Sequence, residues 1–213
     1  MRWAERRWLV LVALVAGLAG LAGAAPAAEL APDDEAELGR IEAYLNSIAT
    51  LRARFDQVAP DGALAEGRFY LRRPGRLRFE YAPPTPILVV ADRVWLIFHD
   101  TELGQVDRLP LYSTPLGFLV KDEIEFAGQI VVEALERLPG ELRLRLRDDE
   151  NAGEGTLTLV FTEAPLRLWQ WRVTDAQGLT TRITLSDVEV NVPLEPTLFV
   201  FDDPAPGGGA SRP

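Results

Sequence analysis

Apolar residues keep helical spacing near the start of the chain. Leu38, Ile41, Leu45 and Ile48 share one stripe at steps of three and four. Asp34, three residues before Glu37, resembles a capping box. The pattern predicts one amphipathic helix over 33–48. Its polar face carries acids, with Arg40 the one base. That face suits a helix lying on a core better than one lying on an anionic membrane. From Leu51 the period changes to two. Leu51, Ala53 and Phe55 alternate with Arg52, Arg54 and Asp56, and the turn Pro60-Asp61-Gly62 follows. Gly67, Phe69 and Leu71 continue the alternation. After the turn Arg73-Pro74-Gly75 so do Leu77, Phe79 and Tyr81. Pro83, Pro84 and Pro86 interrupt, then Ile87 to Val90 and Val94 to Phe98 flank the turn Asp92-Arg93.

A region without strand pattern spans about 110–121. Thr114-Pro115 is an N-cap with Pro at the first helical position. Leu116, Phe118, Leu119 and Val120 make that short helix apolar nearly all round, so it must be buried or line something apolar. Strands return with Val132 to Leu138, then Leu142, Leu144 and Leu146 alternating with three Arg. Leu157, Leu159 and Phe161 follow, then Leu166 to Val173 with Trp169 and Trp171. Ile183 and Leu185 hold one phase, Val188 and Val190 the other, which predicts a β-bulge near Ser186-Asp187. Leu198 to Phe201 is expected to close the sheet. About ten strands in one sheet tend to curl. The expected fold is therefore mainly β: an incomplete, open antiparallel β-barrel, with an N-terminal helix and short helices covering its concave apolar face.

The two ends read differently. Arg2, Arg6 and Arg7 precede the uncharged apolar run Trp8 to Leu21, and small residues follow. Residues 1–28 are expected to be a secretory signal peptide cleaved near 24–28. A retained membrane anchor is the competing reading, disfavoured because the run is short. Residues 29–203 carry no repeat and no linker and are expected to form one domain. Residues 204–213, with Gly207-Gly208-Gly209, are expected to be a flexible tail.

Composition removes several chemistries. The chain has 213 residues, one His, no Cys and a net charge of −10. No Cys means no disulfide, no thiolate zinc site and no lipid anchor on a cysteine; one His rules out a site of two or three His, and no P-loop or G-x-G-x-x-G occurs, so neither metal nor cofactor is expected. An acidic chain lacks the positive footprint of a nucleic-acid binder. His99 is the one candidate for a serine-hydrolase triad, and no G-x-S-x-G elbow accompanies it. Taking the leader's three Arg and Glu5 from 22 basic and 32 acidic residues leaves 19 against 31, a net −12. Against that background, 51–80 holds seven Arg and four acids. Most of these Arg alternate with apolar residues and read as a solvated sheet face. Arg73 does not. At the turn, its guanidinium could reach several backbone carbonyls of a neighbouring lid at once.

The stretch Phe69-x-Leu71-x-Arg73-Pro74-Gly75-x-x-Arg78-Phe79-x-Tyr81-x-x-Pro84, followed by Ile87-Leu88-Val89-Val90-Ala91-Asp92 and Val94-Trp95-Leu96, resembles the periplasmic outer-membrane lipoprotein carrier (LolA) family. Phe55-Asp56-Gln57, Gln105-Val106 and Thr114-Pro115-Leu116 agree with it, and the resemblance covers roughly 36–203. It implies a periplasmic, monomeric, non-enzymatic carrier that shelters lipoprotein acyl chains between inner and outer membrane. It implies acylated lipoproteins and an inner-membrane lipoprotein-releasing ABC transporter as partners, and leaves open a dedicated outer-membrane receptor. It also implies that Arg73 gates the helical lid.

On this reading the acyl-binding candidates are Phe55, Phe69, Leu71, Leu77, Phe79, Tyr81, Val89, Trp95, Ile97, Leu144, Leu159, Trp169 and Trp171. Each also reads as plain core. The lid candidates are Leu38, Ile41, Leu45 and the run Leu116, Phe118, Leu119 and Val120. Two other readings stand beside it: a periplasmic sensor of lipid or lipoprotein, and a lipid or glycan hydrolase, for which substituting His99 and measuring ester hydrolysis is the test.

Overall fold

Strict alternation sends every second side chain of β1 (Thr50–Val58) inward. Leu51, Ala53, Phe55 and Gln57 are buried while Arg52, Arg54 and Asp56 are exposed. The computed structural model, which describes residues 32–151, 153 and 155–203, extends that rule over eleven antiparallel strands. The expected leader and tail lie outside the described residues. β2 (Leu64–Arg72), β3 (Arg76–Tyr81), β4 (Ile87–Asp92), β5 (Trp95–Asp100) and β6 (Gln105–Pro110) follow β1 as a meander. β7 (Ile130–Leu138), β8 (Glu141–Asp148), β9 (Thr156–Glu163), β10 (Leu166–Thr174) and β11 (Thr180–Val190) form a second meander, and β11 pairs with β1. The order β6-β5-β4-β3-β2-β1-β11-β10-β9-β8-β7 leaves two unpaired edges, β6 and β7. The sheet is open, and the chain joining its edges supplies the short helix.

Curling brings distant strands together. Phe69 on β2 meets Trp171 on β10 across β1 and β11, with ring centroids 5.3 Å apart. Gly67 permits part of this packing. It faces Phe55 and Tyr81 on its two neighbours, and a Cβ there would lie 2.0 Å from the Glu80 carbonyl oxygen and 2.8 Å from the Phe55 ring.

Helix α1 (Pro32–Asn46) lies on the concave face and buries Leu38, Ile41 and Leu45. It begins at Pro32, so Asp34 sits in its first turn rather than at the N-cap. Asp34 pairs with Arg137, and Glu37 with Arg40. Helix α2 (Pro115–Leu119) has the expected cap, with the Thr114 hydroxyl accepting from the Gly117 amide.

Three irregularities matter. The expected bulge in β11 is present: Arg52 and Arg54 face Glu189 and Ser186, and Asp187 takes φ +50°. A second bulge, in β10, has no counterpart in the alternation. Leu168 faces Phe161 and Gln170 faces Val160, so Trp169 is an extra residue and the phase flips beyond it. Third, Leu198 to Phe201 do not close the sheet. Pro196–Phe199 is a 3₁₀ turn on the convex side of β3 and β4, where the Arg78 Nη1 donates to the Leu198 carbonyl. This strap lies on the row Tyr70, Arg78, Val90, Ile97 and Arg108 that β2 to β6 present outward, meeting it at β3 and β4 and, through Phe201 and Asp203, at Arg108. Phe199 is buried there, so the apolar content of the segment is satisfied by packing on the sheet rather than by pairing with it.

Candidate functional site

The concave face and its lid enclose one apolar core. Phe55, Phe69, Leu71, Leu77, Phe79, Val89, Leu144, Leu159 and Trp171 all belong to it, and Tyr81 packs against it. From the lid, Leu38, Ile41, Leu45, Phe118, Leu119 and Val120 are buried in the same cluster, with Leu116 partly buried beside them. Three expected residues are elsewhere. Trp95 and Ile97 take the outward phase of β5, because the turn at Asp92-Arg93 sets Leu96 and Phe98 inward. Ile97 is buried under the strap and Trp95 is 41% exposed. Trp169 leaves the core because it is the extra residue of the β10 bulge.

The lid is one hydrogen-bonded unit. The Asn46 side chain both donates to the Ile124 carbonyl and accepts from its amide, at 2.9 Å each. The Glu42 carboxylate accepts from the Phe126 amide, and Phe126 stacks on Phe118. Thus α1, α2 and the 120s loop hold one another. Glu42 and Asn46 lie off the apolar stripe of α1 and their partners are backbone groups of a loop more than 75 residues away, so these contacts gave no sequence signal.

Few polar bonds tie this unit to the sheet. At one end the Arg73 Nε donates to the Leu119 carbonyl at 3.0 Å and its Nη1 donates to the Leu45 carbonyl. Both carbonyls lie in the last turn of a helix, where backbone acceptors lack intrahelical partners and a cation is favoured. The Gly75 amide donates to the Val120 carbonyl at 2.7 Å. The turn is tight: Gly75 has φ +72°, Arg93 has φ +87°, and a Cβ on Gly75 would lie 2.8 Å from the Arg93 Cα. Among the described residues no carboxylate pairs with Arg73. Burial lowers its pKa to about 10, which still leaves it charged at neutral pH. Arg72 and Arg93 crowd Arg76 beside it; burial first, then these like charges, lower the Arg76 pKa. At the other side of the lid the Tyr44 hydroxyl accepts from the Leu168 amide, next to the β10 bulge.

The chamber is filled by its own lid. A pocket of about 40 Å³ between α2 and β7–β9, lined by Thr114, Phe118, Ile130 and Leu157, has room for little more than water. An open cleft of about 410 Å³ lies at the far end of β3, between Tyr81 and the Pro83–Pro86 loop. On the inner side of β3 the Tyr81 hydroxyl donates to the Gln57 Oε1 at 2.6 Å, and burial pushes the phenol pKa well up. His99 meets the Phe201 ring of the outer strap, with centroids 5.5 Å apart, and is not part of the chamber. Among the described residues no group of three or more His, Cys, Asp or Glu is placed to hold a metal ion, and no helix is long and apolar enough to cross a membrane.

Residues 46–202 match the model of the outer membrane lipoprotein carrier protein LolA family. The chain is 30% identical over 177 residues to the outer-membrane lipoprotein carrier protein of Methylococcus capsulatus, covering 78% of this chain and 83% of that protein. It is 32% identical over 175 residues to the protein of the same name from Leptothrix cholodnii, covering 76% and 79%. Among solved structures, a LolA superfamily protein from Nitrosomonas europaea aligns with a TM-score of 0.44 at 13% identity, covering 77% of this chain and 97% of that one.

Proposed function

The chain belongs to the outer-membrane lipoprotein carrier family, and from that membership we propose that it is a periplasmic carrier that shelters the acyl chains of lipoproteins in transit to the outer membrane. The single observation that supports this reading most is the lid. An open apolar sheet has its concave face covered by a unit that packs through apolar side chains and is tied to the sheet by Arg73 and Gly75 at one end and by Tyr44 and the Asp34–Arg137 pair elsewhere.

The energetics favour such a device. Each buried CH₂ is worth about 0.8 kcal/mol, so a sixteen-carbon chain in water costs on the order of 12 kcal/mol. A lipidated protein cannot cross water alone. In the closed form the lid occupies the apolar surface, so cargo must displace Ile41, Leu45, Phe118 and Leu119. Lid and acyl chains then compete for one surface, and a few kcal/mol decide which wins. Arg73 sets that margin. Its bonds are charge-assisted, worth about 1.5–3 kcal/mol each at most, and offset in part by the cost of burying the charge.

Loading takes place at an inner-membrane lipoprotein-releasing ABC transporter, and cargo leaves at the outer membrane, through a receptor or directly. No catalytic step is needed. Arg73→Leu tests the gate: the variant should still bind a lipidated peptide, because Leu adds to the apolar surface. Transfer from the loaded variant to outer-membrane vesicles should fall several-fold. Lost binding, or unchanged transfer, would contradict the gate role.

A further inference from the structure

Inside this apolar chamber one polar atom has no partner. The Trp171 side chain is 1% exposed, and its neighbours include the Phe69 and Phe79 rings, at centroid distances of 5.3 and 6.2 Å. Among the described residues its Nε1 is the one buried side-chain polar atom without a hydrogen-bond partner. A buried indole N–H ordinarily finds an acceptor, and leaving it unpaired is destabilising. A large apolar side chain without the N–H, such as Phe, would serve a plain core without that cost.

The same floor carries a second polar group. Trp171 faces Ile183, and Ile183 faces Gln57, so Trp171 and Gln57 lie in one cross-strand row with a single strand between them. Gln57 is buried, and its Oε1 already accepts from Tyr81. Tyr81 belongs both to the chamber and to the open cleft of about 410 Å³. The Tyr81–Gln57 pair thus belongs to the same floor as Trp171.

We propose that the Trp171 indole N–H is the hydrogen-bond donor to an acyl carbonyl of the bound lipid, which makes the chamber a site for acyl esters and amides rather than for hydrocarbon in general. This inference rests on the lipid-carrier reading and adds the functional group recognised. An acyl carbonyl enters the chamber as an acceptor that needs a donor, and Trp171 is a donor that needs an acceptor. Loading satisfies both, whereas the lid, when closed, leaves the indole N–H unpaired.

The test compares two probes: a peptide with an N-terminal dipalmitoylglyceryl cysteine, and its dihexadecylglyceryl ether counterpart, which keeps the tails and lacks both ester carbonyls. Wild-type protein should bind the diester about tenfold tighter. Trp171→Phe should bind both at the level of the diether. Should that variant fold poorly, replacing Trp171 with 3-benzothienylalanine keeps the shape and removes only the N–H. A diester preference that survives in either variant, or no preference in the wild type, would overturn the proposal while leaving the carrier reading intact. Binding of neither lipid by the wild type would overturn both.

Discussion

Arg73 and Tyr81 occupy opposite ends of the sheet, and each holds a polar group in an apolar setting. They respond to pH in opposite senses. Burial raises the Tyr81 and Tyr44 phenols above their ordinary 10.0. In the unfolded chain both ionise near that value, while the folded protein keeps their protons. The stability tied to them is complete below pH 10 and is lost as pH rises beyond it. Arg73, lowered to about 10 from 12.5, sheds its proton first in the folded state and so acts the other way over that interval. Tyr81→Phe should therefore flatten the alkaline loss of stability, read from urea melts between about pH 9 and 11. Equal losses in variant and wild type would contradict the assignment. Arg73 was legible in the sequence because it sits in a turn, outside any alternation, with a side chain built for several acceptors. The unpaired Trp171 N–H was not legible, since its environment is made by β2, β3 and β10 meeting through the curl of the sheet.

At the scale of elements, regular alternation was the trustworthy signal. β1, β3 and β8 follow it closely, and the lost phase at Ser186-Asp187 correctly marked the β11 bulge. Where no alternation exists, pattern had nothing to offer. β6 is an edge strand of mixed polarity, Gln105–Pro110, whose one strand partner is β5. The bulge at Trp169 hid because Trp169 and Trp171 look like successive inward residues. Leu198 to Phe201 looked like a strand because a strap buried on one side carries the same apolar content. The lid also depends on contacts far apart in sequence. Asn46→Ala removes both bonds to Ile124, across 78 residues. Amide exchange over 122–128 should accelerate about tenfold or more, with the strands unchanged. Exchange that accelerates throughout the sheet, or nowhere, would show that the lid is not a separate unit.

For the whole molecule, topology creates the chamber and its cover. Two meanders joined through β1 and β11 leave edges at β6 and β7, and the connection between those edges must pass over the opening. That connection carries α2 and the 120s loop, while α1 enters from the other end of the sequence. A closed barrel would fix the size of its interior. An open sheet has no such fixed size, and on the proposed reading one surface would serve as core when empty and as acyl shelter when loaded. The measurement that tests this most directly is native mass spectrometry of the protein purified under mild conditions from the periplasm of its own organism. A population carrying acylated lipoprotein at one per chain, beside empty protein, is expected. Protein that is wholly empty in cells exporting lipoproteins, or that carries only non-acylated partners, would contradict it.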